Sequence, residues 1–206
     1  RKVRGRQGRI EMKNMNRPIA VSVVCLTIAI GGQLLSAEAK QDAPELTSCS
    51  CFQANGIHEF GGVFLAGQPT PEGFAEAQKA GVRTVVNLRA ANELNWDEKA
   101  TVVELGMQYV HVPVASADAL TDDVFQQMRQ LLKDKAKRPM LVHCFSAGRV
   151  GATWLAHRVL DDGLTVEAAV AEAKKIGLKK EEYIAKATDY VRRMKEEKAP
   201  PRTQNP

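Results

Sequence analysis

Residues 140–151 read Met-Leu-Val-His-Cys-Phe-Ser-Ala-Gly-Arg-Val-Gly. Met140 to Val142 form an apolar run that ends in His143-Cys144, and four residues separate Cys144 from Arg149. Beyond the arginine, Trp154, Leu155 and Val159 recur at helical spacing. A buried strand, a tight glycine-containing loop and a helix start bring many backbone N–H groups to one point, and that point favours negative charge. A cysteine placed there is expected to titrate below its usual value of about 8.5, in the range of about 3.5–7.5 found at activated sites. The loop Phe145, Ser146, Ala147, Gly148 can cradle an oxyanion beside the thiolate, and Arg149 can add a bidentate fork to it.

Outward from this stretch, strands and helices alternate. Val63–Ala66 reads as a short strand, and Thr70-Pro71 is an N-cap and first-turn pair for a helix through Phe74, Ala77 and Ala80. Arg83–Leu88 is a β-branched strand, and Asn95 or Asp97 opens a helix that Gly106 ends. Tyr109–Val114 is the next strand, Thr121 caps a helix with Val124, Phe125, Met128, Leu131 and Leu132 on one face, and Pro139–His143 delivers Cys144. Helices are expected at Arg149–Asp161, at Val166–Ile176 behind Thr165, and at Glu181–Lys195. This alternation predicts an α/β fold, a three-layer sandwich with a mostly parallel central sheet flanked by helices. Ligands in such sheets bind off the carboxyl ends of the strands, where Cys144 stands.

The chain has 206 residues, 44% of them hydrophobic, and a net charge of +5. Residues 1–39 hold seven Lys/Arg and two acids, so the whole excess lies there and residues 40–206 are balanced. The basic character is therefore no argument for nucleic acid or an acidic membrane as partner. Basic residues, an apolar run from Ile19 to Ile30 and the small-x-small site Ala37-Glu38-Ala39 have the layout of a signal peptide cleaved before Lys40. A membrane anchor is disfavoured, because the run falls short of the roughly 20 apolar residues a span needs. The organisation expected is a leader over 1–39, a linker over 40–55, one catalytic domain over 56–198 and a loose tail over 199–206, exported to the periplasm or medium. Cys49 and Cys51, in the linker, suit a local disulfide; pairing between chains, or a guard on Cys144, are the alternatives. No further ligands stand at zinc spacing, and neither a metal nor a cofactor is expected.

The motif resembles the active-site loop of cysteine-dependent protein tyrosine and dual-specificity phosphatases. The wider pattern resembles the bacterial beta-lactamase-hydrolase-like phosphatase-like family. The pieces that carry it are LAGQPTPEGFAEAQKAGVRTVVNLR at 65–89, Glu93, Asp97 and Glu98, YVHVPV at 109–114, LTDD at 120–123 and MLVHCFSAGRVGATW at 140–154. The resemblance implies a dual-specificity-phosphatase-like domain in which Cys144 attacks phosphorus and forms a phosphocysteine that water hydrolyses. Arg149 and the loop N–H groups would bind the equatorial oxygens, and His143 would orient the loop or serve as a buried structural histidine. Ser146 is either a donor to the thiolate or a turn residue. The substrate implied is a phosphorylated protein or a small phosphate ester.

The same resemblance asks for an aspartate general acid just after the Tyr109–Val114 strand, where Ala115 stands; Asp118 is the candidate, ahead of Asp122 and Asp123 beside cap Thr121. Val150 replaces the Ser or Thr usual after the arginine. The four-residue spacing is also that of rhodanese sulfurtransferases, so a Cys144 persulfide carrier is the alternative, and an oxyanion-binding domain with weak catalysis is the second. Arg89 and Glu93 are expected to form a structural clip, with Gln68 at the pocket wall.

Overall fold

The computed structural model describes residues 44–198. The leader, its cleavage site and the tail read above lie outside the described residues. Six strands form one sheet in the order β1-β2-β3-β6-β4-β5: β1 Thr47–Cys49, β2 Ile57–Phe60, β3 Val63–Ala66, β4 Thr84–Asn87, β5 Gln108–His111 and β6 Met140–His143. Four of them, β3, β6, β4 and β5, run parallel, while β1 and β2 add an antiparallel edge. The sheet is thus mixed, with its parallel part around β6.

Six α-helices flank it: α1 Pro71–Lys79, α2 Glu98–Glu104, α3 Asp122–Lys133, α4 Gly148–Leu160, α5 Val166–Ile176 and α6 Glu181–Lys198. Side chains alternate across each strand and sort into two layers. Val63, Leu65, Val86, Met140 and Val142 join the core shared with α3 to α6. Ala66, Val85 and Leu141 join Phe74, Ala77 and Val102 in the core beneath α1 and α2. The three-layer α/β sandwich expected from the sequence is the fold. Thr70, Asp97, Thr121 and Thr165 each accept an N–H from the first turn of the helix they open. No helix among the described residues is long and apolar enough to cross a membrane.

Two boundaries differ from expectation for physical reasons. The strand expected over Tyr109–Val114 ends as regular ladder at His111, because Pro113 has no N–H to donate. Val112 and Val114 still donate to Asn87 and Leu88 at 2.9 and 3.1 Å, which carries the chain past the strand end toward the site. The stretch expected as a linker contributes β1, paired with β2 from Thr47↔Glu59 to Cys49↔Ile57. It has no alternating apolar pattern of its own; its register comes from the edge of β2 and from Phe52, which is buried in the α1 core. Cys49 and Cys51 are joined as a local disulfide.

Phe52 fits because position 73 has no side chain. A Cβ on Gly73 would lie 1.9 Å from the Phe52 carbonyl oxygen, inside any contact distance. Gly73→Ala therefore forces α1 and the Phe52 segment apart. The expected result is a lower urea midpoint, a loss of about 1–3 kcal/mol as in other overpacked sites. Unchanged stability would show that residues 47–55 do not bear on α1.

Candidate active site

The parallel strands end level: Ala66, His143 and Asn87 are direct partners across β3, β6 and β4. The residues just beyond, Gln68, Cys144 and Arg89, therefore meet at the carboxyl end of the sheet. Cys144 is 1% exposed, and its N–H donates to Ala66. The loop after it is stitched to the β3 end by a Gly67–Ser146 bridge and by the Gln68 N–H on the Phe145 carbonyl at 3.2 Å.

Ala147 closes the loop in the left-handed region, at φ 62°, and is the N-cap of α4. That conformation costs of order 1–3 kcal/mol for a residue with a Cβ, and it is held in place by packing: Ala147 is 1% exposed. Alanine offers no cap, and no side-chain bond satisfies the first N–H groups of α4. Those donors, at the positive end of the helix dipole, are what an anion seated over Cys144 would meet. The loop residues Phe145, Ser146, Ala147 and Gly148 lie together between Cys144 and Arg149, where the sequence predicts an anion cradle, with Ser146 exposed and Val150 packed in the core.

Arg149 is fixed from every side. Its guanidinium donates to both oxygens of Glu93 at 2.5 and 2.7 Å, and to the carbonyls of Val114 and Leu88 at 2.7 and 3.3 Å. Burial disfavours its charge, but the bonds and charges of Glu93 and Cys144 outweigh this and raise its pKa. Glu93 is held at about 2 instead of 4.5, chiefly by the Arg149 bond, with burial opposing and the Ala90 N–H helping. The Arg89–Glu93 clip is therefore a lesser part of the picture. Arg89 Nε lies 3.7 Å from Glu93, while its terminal nitrogens donate to the Glu93 carbonyl and to Gln68 Oε1, the latter at 2.6 Å. The carboxylate of Glu93 serves Arg149.

A second network lies under the loop. Glu98, 1% exposed, accepts from Gln68 Nε2 at 2.6 Å, Asn87 Nδ2 at 2.7 Å and the Tyr109 hydroxyl at 3.2 Å. His143 Nε2 stands 3.1 Å from the same carboxylate, off the axis of an aligned hydrogen bond. Burial pushes the Glu98 pKa up, and His143, Gln68 and Tyr109 together bring it below the ordinary value. Tyr109 is pushed up to about 12 by burial and by the Glu98 charge, against the Asn87 bond. Gln68 bridges the two networks, Arg89 on its oxygen and Glu98 on its nitrogen.

The sequence reading had Cys144, Arg149, His143 and the loop together, and they are. Glu98 and Tyr109 enter that reading only as part of the resemblance, with no role at the site, and Asn87 only as part of a strand. Asn87 ends an apolar strand and His143 ends another, and buried polar groups of that kind call for partners. Asp118 is not joined to either network: its side chain is 91% exposed and bonded to Lys186 of α6 at 2.8 Å, which lowers its pKa. Asp122 likewise pairs with Arg193.

Among solved structures, Tk-PTP in its active form superposes with a TM-score of 0.57 at 18% identity, over 64% of this chain and 92% of that one. TpbA of P. aeruginosa in complex with pTyr gives 0.57 at 22%, over 74% and 91%. The catalytic domain of the PP-IP phosphatase SIW14 of S. cerevisiae gives 0.58 at 13%, over 72% and 95%. At these identities the likeness shows the fold. No curated protein matches the chain. A family model does: residues 58–192 match that of the DSP-PTPase phosphatase fused to NAD+ kinase. The match carries the wider tyrosine and dual-specificity phosphatase kinship and does not name the narrower beta-lactamase-hydrolase-like branch. Since it spans well over half of the sequence and takes in the whole cradle, this chain belongs to the DSP-PTPase phosphatase family that the model describes.

Proposed function

We propose that the protein is a cysteine-dependent phosphatase that hydrolyses phosphate monoesters of the phosphotyrosine type through a phosphocysteine. The observation that carries this reading is Cys144 beneath the uncapped N-terminus of α4, with Arg149 pinned beside it by Glu93, Val114 and Leu88. The Cys144 thiolate attacks phosphorus, the S–P bond forms as the ester P–O bond breaks, and the leaving oxygen takes a proton. Water then cleaves the S–P bond and returns the thiolate. Arg149 and the α4 N–H groups stabilise the equatorial oxygens throughout. Phe145, 64% exposed with the Arg89 guanidinium 5.5 Å from its ring centre, offers a flat apolar surface for an aryl group. The complex of the similar TpbA with pTyr supports the same class of ester.

Asp118 is the general acid of this proposal. To act, it exchanges Lys186 for the leaving oxygen. The leader pattern supports an exported protein that works in the periplasm or outside the cell. The four-residue loop and the engagement of Asp118 with Lys186 favour one second reading, sulfur transfer through a Cys144 persulfide, which needs no general acid.

The full chain should hydrolyse p-nitrophenyl phosphate under reducing conditions, and Cys144→Ser should abolish it. Inactivity toward phosphate esters with transfer from thiosulfate to cyanide would replace the proposal by the second reading. If Asp118 is the acid, Asp118→Asn should lower kcat by about 10²-fold on phenyl phosphate, and far less on p-nitrophenyl phosphate, whose leaving group needs little protonation. An equal effect on both esters would remove Asp118 from the role.

Glu93→Gln leaves Arg149 without its charged anchor, and kcat/KM should fall by about 10²-fold. The pH dependence follows from the depressed pKa of Glu93. Its ionised form stabilises the fold fully above its ordinary 4.5, and this contribution is lost as pH falls toward about 2. Acid unfolding of Glu93→Gln should lack that component; an unchanged acid limb would show that Arg149 is held without Glu93.

A further inference from the structure

The end of α5 and the turn that leads to α6 read Lys174-Lys175-Ile176-Gly177-Leu178-Lys179-Lys180 and rest directly on the catalytic loop. A Cβ at Gly177, whose φ is +138°, would lie 2.9 Å from the Ser146 carbonyl oxygen and 3.0 Å from Ala147 Cβ. A Cβ at Gly151 would lie 2.9 Å from Leu178 Cβ. Two glycines thus clamp the turn to the cradle, and Ile176 and Leu178 anchor it in the core at 1% and 0% exposure. The four lysines stay outside. Lys174, Lys175 and Lys179 line one cleft together with Phe145, Ser146 and Gln68; Lys179 and Lys180 line an adjoining one with Ser146 and Gly148.

Helix stability does not account for all of these charges. Lys174 and Lys175 are in the last turn of α5, where cations suit the dipole. Lys179 and Lys180 precede α6, where the dipole opposes them, and the acids Glu181 and Glu182 are the residues that suit that end. Lys174 has Glu181 at 4.0 Å and Lys180 has Glu182 at 3.6 Å, whereas Lys175 and Lys179 have no ion-pair partner among the described residues. Residues 40–206 are balanced in charge overall, so this concentration is local.

Resting on the phosphatase reading above, we infer that the lysine turn is a specificity subsite for acidic residues flanking a phosphotyrosine in a peptide segment. The charges extend across two open clefts on one side of the cradle, as an extended acidic chain requires, and the exposed Phe145 shares the first of them, where the aryl group enters. Lysines hold a carboxylate as hydrated point charges, so the subsite would act through electrostatic complementarity without demanding one sequence.

The test measures binding by calorimetry to full-length Cys144→Ser, which separates recognition from turnover. Two phosphotyrosine peptides are compared, one with three glutamates beside the phosphotyrosine and one with three glutamines. The acidic peptide should bind about 10-fold tighter at low salt, and the advantage should shrink toward unity at 0.5 M NaCl, where screening shortens the reach of exposed charges. Adding Lys175→Gln and Lys179→Gln should remove most of the difference and leave the glutamine peptide unaffected. Equal affinities, or a preference that survives the lysine substitutions, would overturn the subsite. So would fructose 1,6-bisphosphate binding tighter than the acidic peptide, which would assign the lysines to a compact second phosphate. An acidic preference without hydrolysis by the unsubstituted protein would leave the subsite standing and sink the phosphatase reading alone.

Discussion

A carboxylate buried to 1% exposure must be matched on all sides, and Glu98 organises the site because it is so matched. Leaving such a charge unpaired costs several kcal/mol, so the groups around it are constrained together. Gln68 follows β3, Asn87 ends β4, Tyr109 belongs to β5 and His143 ends β6. One side chain from the first turn of α2 thus ties the carboxyl ends of β3, β4 and β6 to one another and to Tyr109, two residues before the end of β5. The loop that carries Cys144 begins there. Removing any donor would expose the charge of Glu98 to its apolar neighbours, and the first structure to feel it would be the strand end that holds Cys144.

Above this floor, Arg149 is built in a complementary way. Here a buried cation is satisfied by one carboxylate and two carbonyls, and the carbonyls come from the chain just past β4 and β5. The irregular path from Val112 to Val114, forced by Pro113, is what brings the Val114 carbonyl to the guanidinium. Gln68 joins the networks above and below, so the loop is set by a continuous set of hydrogen bonds and not by its own short sequence. The strained Ala147 is tolerable in this setting because the neighbours already determine where the backbone must run.

The local code carried much of this. Caps at Thr70, Thr121 and Thr165, the β-branched strands and the apolar stripe of α3 announce their elements through short-range patterns, and the cradle is announced by a strand, a loop and a helix in unbroken succession. What the sequence hides depends on distance along the chain. Glu93 and Arg149 are 56 positions apart, and an acid four residues after Arg89 looks like a local partner for it. Glu98 sits in a helix's first turn, where an exposed acid is ordinary, and only the packing of α2 against the sheet buries it. β1 has no apolar alternation to mark it, since an edge strand can take its order from its neighbour's backbone and from one anchor, Phe52.

The two acids nearest the chemistry share a property that bears on substrate choice. Glu93 is held at about 2 by Arg149, and Glu98 is held below its ordinary value by its donors despite burial. At neutral pH both are ionised and fully engaged, and neither has a proton to give a leaving group. On the phosphatase reading proposed above, the groups that would stabilise phosphorus-bound oxygens are therefore held in place, while a proton for the leaving oxygen would have to come from outside these networks; Asp118, on the exposed chain after Val114, is itself held ionised by Lys186 and could supply one only after exchanging that partner. A phosphatase so divided would discriminate by leaving group. An aryl oxide leaves with little help, an alkoxide does not, and on the proposed reading the exposed ring of Phe145 would favour the same aryl esters by contact.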